Sequence, residues 1–275
     1  MKIFISVDLE GISGVVSSEQ TRVEGSGYEQ AQQLMVGETN AAIEGAFAGG
    51  ATEVCVNDAH GSMRNLLIEN LHPDAILVTG SPKPLTMMQG IDASFDLAAF
   101  VGYHARRDSM TAILEHTISG AVVRGITING KLAGETTINA GIAGYFGVAI
   151  GFLSGDNVVV REARELIPYI ETVEVKIAQT RTSAKCLHPK KARKLIKKKM
   201  KLVTENTNQF KPYKAASPVT FELELIHTGM AELASFMPSA ERVSPTRVKL
   251  MHEDYLIAWK GVRAMIILAG SVLSF

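Results

Sequence analysis

Asp8 and Glu10 stand two positions apart in Ser6-Val7-Asp8-Leu9-Glu10-Gly11. On an extended segment alternate side chains share a face, so both carboxylates point one way while Leu9 turns away. About 7 Å apart along a strand, they repel one another unless a cation lies between them. An Asp can bridge two metals through its two oxygens, leaving a neighbouring Glu to serve one of them. His60, in Asn57-Asp58-Ala59-His60-Gly61, and His104, in Gly102-Tyr103-His104-Ala105, each follow a predicted strand. Imidazole nitrogen mixed with carboxylate oxygen suits zinc in hydrolytic sites. Glu135, in Ala133-Gly134-Glu135-Thr136, and His116, in Leu114-Glu115-His116-Thr117, carry competent groups, although their spacing alone fits ordinary exposed positions equally well. Asp58 is a candidate support for a histidine ring. His72, His188, His227 and His252 have no comparable neighbours and are expected to be structural or exposed.

The elements that must position these groups are legible in the periodicity. Lys2 to Val7 is a β-branched and aromatic run that predicts a buried strand. Tyr28 to Phe47 places Ala31, Leu34, Met35, Ala42, Ile43 and Ala46 at helical spacing, with Gly49-Gly50 as a stop. Glu53–Asn57, Ala75–Thr79, Leu97–Gly102, Val148–Leu153 and Thr172–Ile177 predict further strands, and Arg161–Leu166 a helix. Strands alternating with helices predict an α/β fold, with a mostly parallel central sheet and helices on both faces. Ligands in such sheets gather beyond the carboxyl ends of the strands, where Asp8, His60 and His104 all fall.

Asn129-Gly130, flanked by Gly125-Ile126-Thr127-Ile128 and Lys131-Leu132, predicts a type I′ hairpin. Lys211 to Pro218 has linker character, and the segments beyond it suggest a smaller C-terminal α+β unit. The expected division is an α/β metal-binding catalytic domain over 1–212 and a small α+β domain over 213–275, with the hairpin at about 122–132 packing on the second unit. Pro189 to Lys201 is densely basic, but Ala192, Leu195, Ile196, Met200 and Val203 recur at helical spacing, so a surface helix with a solvated face is expected.

Composition narrows the function. Lys+Arg and Asp+Glu both number 28, so no net charge favours nucleic acid or an anionic membrane. The chain is 46% hydrophobic and 20% charged, which supports a large core. The apolar N-terminal run meets Asp8 too soon for a signal peptide, and no uninterrupted apolar run reaches the ~18 residues of a membrane span. Cys55 and Cys186 make no disulfide framework, and a cytoplasmic location is the expectation.

In order along the chain, Ser6-Val7-Asp8-Leu9-Glu10-Gly11-Ile12-Ser13-Gly14, Glu53 to His60, Gly102-Tyr103-His104-Ala105-Arg106 and Asn129 to Glu135 resemble the motifs of one family. It is that of the DppA-type D-aminopeptidases, the zinc-dependent M55 peptidases. Weaker similarity runs on through Ser154-Gly155-Asp156, Glu165-Leu166-Ile167-Pro168 and Lys185-Cys186-Leu187, covering nearly the whole chain. The resemblance implies that Asp8 bridges two zinc ions, that Glu10 and His60 complete one site and His104 and Glu135 the other, and that His116 is catalytic. It further implies hydrolysis of N-terminal D-residues from short peptides by metal-activated water, and a homodecamer whose active sites face an internal channel. Two rivals stand beside it: a binuclear hydrolase of another bond, such as a phosphoester or cyclic amide, and a non-catalytic peptide-binding accessory protein. The first needs cationic phosphate contacts, for which only Arg106 and Arg107 lie near a ligand in sequence.

Overall fold

The computed structural model describes residues 1–274. In chain order its elements are β1 (Lys2–Val7), α1 (Tyr28–Ala48), β2 (Glu53–Asp58), β3 (Ala75–Val78), β4 (Leu97–Tyr103), β5 (Val123–Ile128), β6 (Lys131–Leu132), α2 (Glu135–Tyr145) and β7 (Ile150–Asp156). There follow α3 (Asn157–Leu166), β8 (Glu171–Thr180), β9 (Ser183–Cys186), α4 (Pro189–Glu205), β10 (Val219–Leu225), α5 (Thr228–Ala234), β11 (Ala240–Arg242), β12 (Arg247–His252) and α6 (Tyr255–Gly270).

The main sheet runs β3-β2-β1-β4-β7-β8-β9 and is parallel except where β9 turns back on β8. Strands β4 and β7 are buried over their whole length, as expected for a parallel sheet covered on both faces. Alternation on β1 divides the interior. Ile3, Ile5 and Val7 join α1 and α4 in one core, while Phe4 faces the other, where α2 and α3 pack. Side α1–α4 is close-set because a Cβ at Gly45 or Gly49 would press on the backbone of Lys197 or Lys201.

The basic helix α4 behaves as its pattern predicts. Ala192, Ile196, Met200 and Val203 are buried, and Lys197 and Lys199 pair with Glu44 and Glu171 at 2.7 and 2.6 Å. A second, antiparallel sheet has the order β11-β12-β10-β5-β6. Its β5–β6 hairpin turns at Asn129 and Gly130, with φ of 50° and 78°, the positive values a type I′ turn requires. Through β5 the hairpin pairs with β10, so the two regions of the chain share one sheet. Helix α6 covers that sheet with Trp259, Val262, Met265 and Ile266 buried. The stretch Tyr255–Leu273 is long and apolar enough to cross a bilayer by length and composition. Its apolar face is the one packed against β10 and β12.

Three elements lack a signal in the sequence: α2, β9 and β11. Helix α2 carries Thr136, Thr137, Ile138, Gly141 and Gly144, all weak helix formers, and is held by its surroundings instead. Gly141 leaves room for the Tyr255 ring, and Gly144 for the Tyr213 carbonyl.

Gly102 links the sheet to the residues of interest. Its φ is +69°, and a Cβ there would strike the Asp8 carbonyl and the Ile12 side chain. Gly102→Ala is expected to cost at least about 2 kcal/mol in urea denaturation, combining left-handed strain with overpacking; a loss within about 0.5 kcal/mol would mean that the Asp8 loop does not depend on this approach.

Candidate metal centre

Strands β2, β1 and β4 are neighbours, and the residues leaving their carboxyl ends are the ones singled out above. Asp8 follows β1, His60 lies just past β2, and His104 follows β4. The chain leaves β1 for β2 on one side and later returns to β4 on the other, so this edge is a topological switch point. Backbone hydrogen bonds extend the ladders beyond the strands. Asp8 N donates to Val101 O at 2.8 Å, Ala59 N to Val7 O at 2.8 Å and Gly11 N to Gly102 O at 2.7 Å. Glu135 is the first residue of α2, where the positive end of the helix favours its charge.

The side chains converge. His60 Nδ1 lies 3.3 Å from Asp8 Oδ1 and 2.9 Å from Glu10 Oε2. His104 Nε2 lies 3.4 Å from Asp8 Oδ2 and 3.2 Å from Glu135 Oε2. Asp8 therefore turns one oxygen to each histidine. All five residues are buried. Although these distances are short, Glu10 Oε2 and His104 Nε2 have no partner in hydrogen-bonding geometry, which leaves two buried ligand-type atoms unsatisfied. The far ring nitrogens are occupied: His104 Nδ1 sits 2.9 Å from the Ala105 carbonyl and His60 Nε2 2.8 Å from that of Thr21. Each carbonyl accepts an N–H, so the inward nitrogen is the one that would give up its proton and offer a lone pair to a metal. Within the cluster, ligand-capable atoms of Asp8, Glu10 and His104 lie within 4.8 Å of one another, as do those of His104, His116 and Glu135. The donor set, imidazole nitrogen with carboxylate oxygen, fits zinc.

His116 stacks on His104 with centroids 4.2 Å apart and planes 13° from parallel. Its Nδ1 lies 3.0 Å from the Leu114 carbonyl and its Nε2 3.9 Å from Glu135 Oε1. It is half-buried at the rim, close enough to act on what the cluster holds. Arg106 is committed to Glu162 at 2.6 Å, and Arg107 donates to the Gly120 carbonyl, so neither stands free to meet a phosphate.

Charge explains why such a cluster can exist. Burial pushes the Asp8 carboxyl up to about 6, and the Glu10 charge adds to it, against the hydrogen bond of His60. Burial would also raise Glu10, but the charge and hydrogen bond of His60, with the charges of His116 and His104, together outweigh it and hold Glu10 well below the usual range. Glu135 is likewise lowered: burial would raise it, but the charge and hydrogen bond of His104, the charge of His116 and the Ile118 amide together overcome it. Burial disfavours charge on His60 and His104, yet Glu10 and Glu135 hold both well above the ordinary histidine value. Positive charge between the carboxylates is what the site demands.

A second layer of buried charge fixes the loop that carries Glu10. The fully buried Lys176 ammonium, from β8, donates to the carbonyls of Glu10, Ile12 and Val15, the last two at 2.9 and 2.5 Å. Buried Glu38, from α1, accepts from Ser13 N at 3.0 Å. A lone Lys in a strand and a lone Glu in a helix carry no pattern that reveals these roles. Asp58 does not touch a histidine ring. It accepts from Asn65 and from Leu66 N, and Asn65 Nδ2 donates to the His60 carbonyl at 2.7 Å. Its support of His60 is thus through the backbone.

The cluster opens into a cavity of about 140 Å³ whose walls include Asp8, His60, His116, Glu135, Met63, Met87, Ile118 and Arg263. Buried carboxylates and imidazoles at the switch point of a parallel sheet, with a small cavity above them, define a metal-dependent hydrolase. The comparisons make the class specific. The family model described as D-aminopeptidase, Peptidase M55, matches residues 1–264. A D-aminopeptidase of Bacillus subtilis (strain 168) is 38% identical over 270 residues, covering 98% of each chain. A solved structure described as the Zn-dependent D-aminopeptidase DppA from Bacillus subtilis, a self-compartmentalizing protease, superposes with a TM-score of 0.94 at 37% identity, again over 98% of each chain. The chain belongs to the D-aminopeptidase family of M55 peptidases.

Removing the Lys176 ammonium strands buried carbonyls beside Glu10. Lys176→Met is expected to bind zinc about 10- to 100-fold more weakly in a chelator competition, the usual scale for a group that orients a ligand; unchanged affinity would show that the loop holds itself.

Glu38 gives a pH signature. Burial pushes its carboxyl up to about 7, against the Ser13 hydrogen bond and the charges of Lys176 and Arg193. A folded value above the unfolded one means stability fully present below the unfolded value, about 4.5, and lost as pH rises through about 7. Glu38→Gln, which cannot ionise, is expected to match the native chain near pH 4.5 and exceed it by about 1–3 kcal/mol near pH 8 in denaturant titrations. A gap that does not widen with pH would contradict the buried-charge assignment.

Proposed function

We propose that this D-aminopeptidase works with two zinc ions per chain, which Asp8 would share, while Glu10 and His60 would complete one site and His104 and Glu135 the other. The observation that carries this is the splay of one carboxylate, with Asp8 Oδ1 3.3 Å from His60 and Oδ2 3.4 Å from His104. The substrate class is a short peptide with a free amino terminus and a D-residue first, in keeping with the family description and with the relative called a Zn-dependent D-aminopeptidase. When bound, such a metal pair supplies Lewis acidity at the scissile carbonyl and a water whose pKa falls toward neutrality.

The chain's own residues do the remainder. The carboxylates of Asp8, Glu10 and Glu135 bring three negative charges, short of the four positive charges of two divalent ions, which leaves the site cationic and receptive to developing negative charge. Ile118 N donates to Glu135 Oε1 at 2.6 Å and Leu9 N to Asp8 Oδ1 at 2.9 Å, fixing the carboxylates before substrate arrives. The hydrogen bond of His116 Nδ1 with the Leu114 carbonyl leaves Nε2 facing the cavity, where it can hold a proton for the leaving amine. The apolar part of the wall, Ala59, Met63, Met87 and Ile118, leaves room for a small side chain. With Arg106 and Arg107 otherwise engaged, the site favours a peptide over a phosphoester.

The assembly we propose is a homo-oligomer, a homodecamer with sites facing an internal channel, supported by the self-compartmentalizing description of the structural relative. The proposed location is cytoplasmic. Neither nucleic acid nor membrane is among the proposed partners.

Two variants separate binding from chemistry. His104→Ala should lose about one zinc per chain by elemental analysis and abolish turnover of a D-alanyl substrate, with the far-UV spectrum preserved; near-native activity would break the ligand assignment. His116→Ala should keep both metals and lose about 10²–10⁴-fold in kcat, and an unchanged kcat would move the proton transfer to another group.

A further inference from the structure

Among the described residues Arg263 is the one arginine or lysine in the wall of the metal cavity, and it comes from α6, the helix that covers the second sheet. Its guanidinium is half-buried, and among the described residues it makes no ion pair or side-chain hydrogen bond. Burial alone depresses its pKa, with no carboxylate offsetting that effect. Asp8 and Glu135 belong to the same cavity yet do not pair with it, so Arg263 occupies a wall apart from them. An arginine that surrenders water without a protein partner is unfavourable unless a ligand supplies the missing anion.

The geometry points to that anion. We propose that Arg263 recognises the free C-terminal carboxylate of a short peptide whose amino terminus lies at the metal ligands. The proposal rests on the aminopeptidase function argued above and adds what sets the substrate's length. An extended chain advances about 3.3–3.6 Å per residue, so the carboxylate of a dipeptide or tripeptide ends about 7–11 Å from its amine. The cavity agrees with a small occupant. Its volume of about 140 Å³ is below the roughly 300 Å³ at which drug-sized pockets begin. Planar, with paired N–H donors, a guanidinium matches a carboxylate in a bidentate way that an amide or ester end group cannot reproduce. Nothing in this arrangement requires a new reaction: Arg263 is a specificity residue that holds one end of the substrate while the peptide bond is cleaved at the other.

The test compares D-alanyl-D-alanine with its C-terminal amide on the zinc-loaded chain, as wild type, Arg263→Met and Arg263→Lys. The native chain should favour the free acid by about 10- to 100-fold in kcat/KM, the scale of a hydrogen-bonded charge pair, with the difference mostly in KM. In Arg263→Met that ratio should collapse toward one. Arg263→Lys, which keeps the charge and loses the fork, should fall between them. A native ratio near one, or a ratio that survives Arg263→Met, overturns the carboxylate assignment. Loss of both activities in equal proportion, with zinc content intact, also overturns it, because a structural role would act on both substrates alike. If the zinc-loaded native chain hydrolyses neither substrate, the peptidase function itself fails and the proposal falls with it, an outcome distinct from hydrolysis without discrimination.

Discussion

Asp8, Glu10 and Glu135 place three carboxylates in one dry pocket, and like charges so close endure only with positive charge among them. Everything around the pocket follows from that demand. The imidazoles of His60 and His104 meet it in part, each held well above its ordinary pKa, against burial, by the surrounding carboxylates together. A divalent cation would meet it better, because Glu10 Oε2 and His104 Nε2 are buried without hydrogen-bond partners and are atoms of the kind zinc takes.

The sheet serves the pocket by topology. A parallel sheet whose chain reverses direction beside β1 brings residues distant in sequence to one edge, and ladder hydrogen bonds carried past the strand ends hold Asp8 and Ala59 in register. Glycine makes this possible where backbones must touch. A side chain at Gly11 would collide with the carbonyls of Gly102 and Tyr103, so the two ligand-bearing loops approach as closely as bare backbone allows. Lys176 and Glu38 then brace the loop from behind, using buried charge to order backbone rather than to react. The second sheet lends α6, which closes the cavity with Arg263.

Much of this was legible in the sequence, for identifiable reasons. Buried parallel strands such as β1, β2 and β4 are short apolar runs that end in polar residues, so both the strands and the ligands at their ends stand out together. The Asn129-Gly130 turn announced its hairpin because only certain residues tolerate its backbone. Helix α2 escaped because tertiary packing, against Tyr255 and Tyr213, overrides its poor propensity. Glu135 was therefore placed after a hairpin but not at a helix start. Lys176, Glu38 and Arg263 escaped for a different reason: each is a single charged residue whose meaning lies in what the fold sets beside it, and neither periodicity nor spacing encodes that. The position of Asp58 beside His60 in sequence points to support of a histidine, but the contact runs through Asn65 and the His60 carbonyl rather than the ring.

The most direct measurement is anomalous diffraction at the zinc absorption edge from crystals of the chain grown with zinc. The account predicts two peaks about 3.5–4 Å apart, one on either side of the Asp8 carboxylate, the first against Glu10 and His60 and the second against His104 and Glu135. A single peak not shared by Asp8, or zinc bound only at sites remote from these residues, would contradict it.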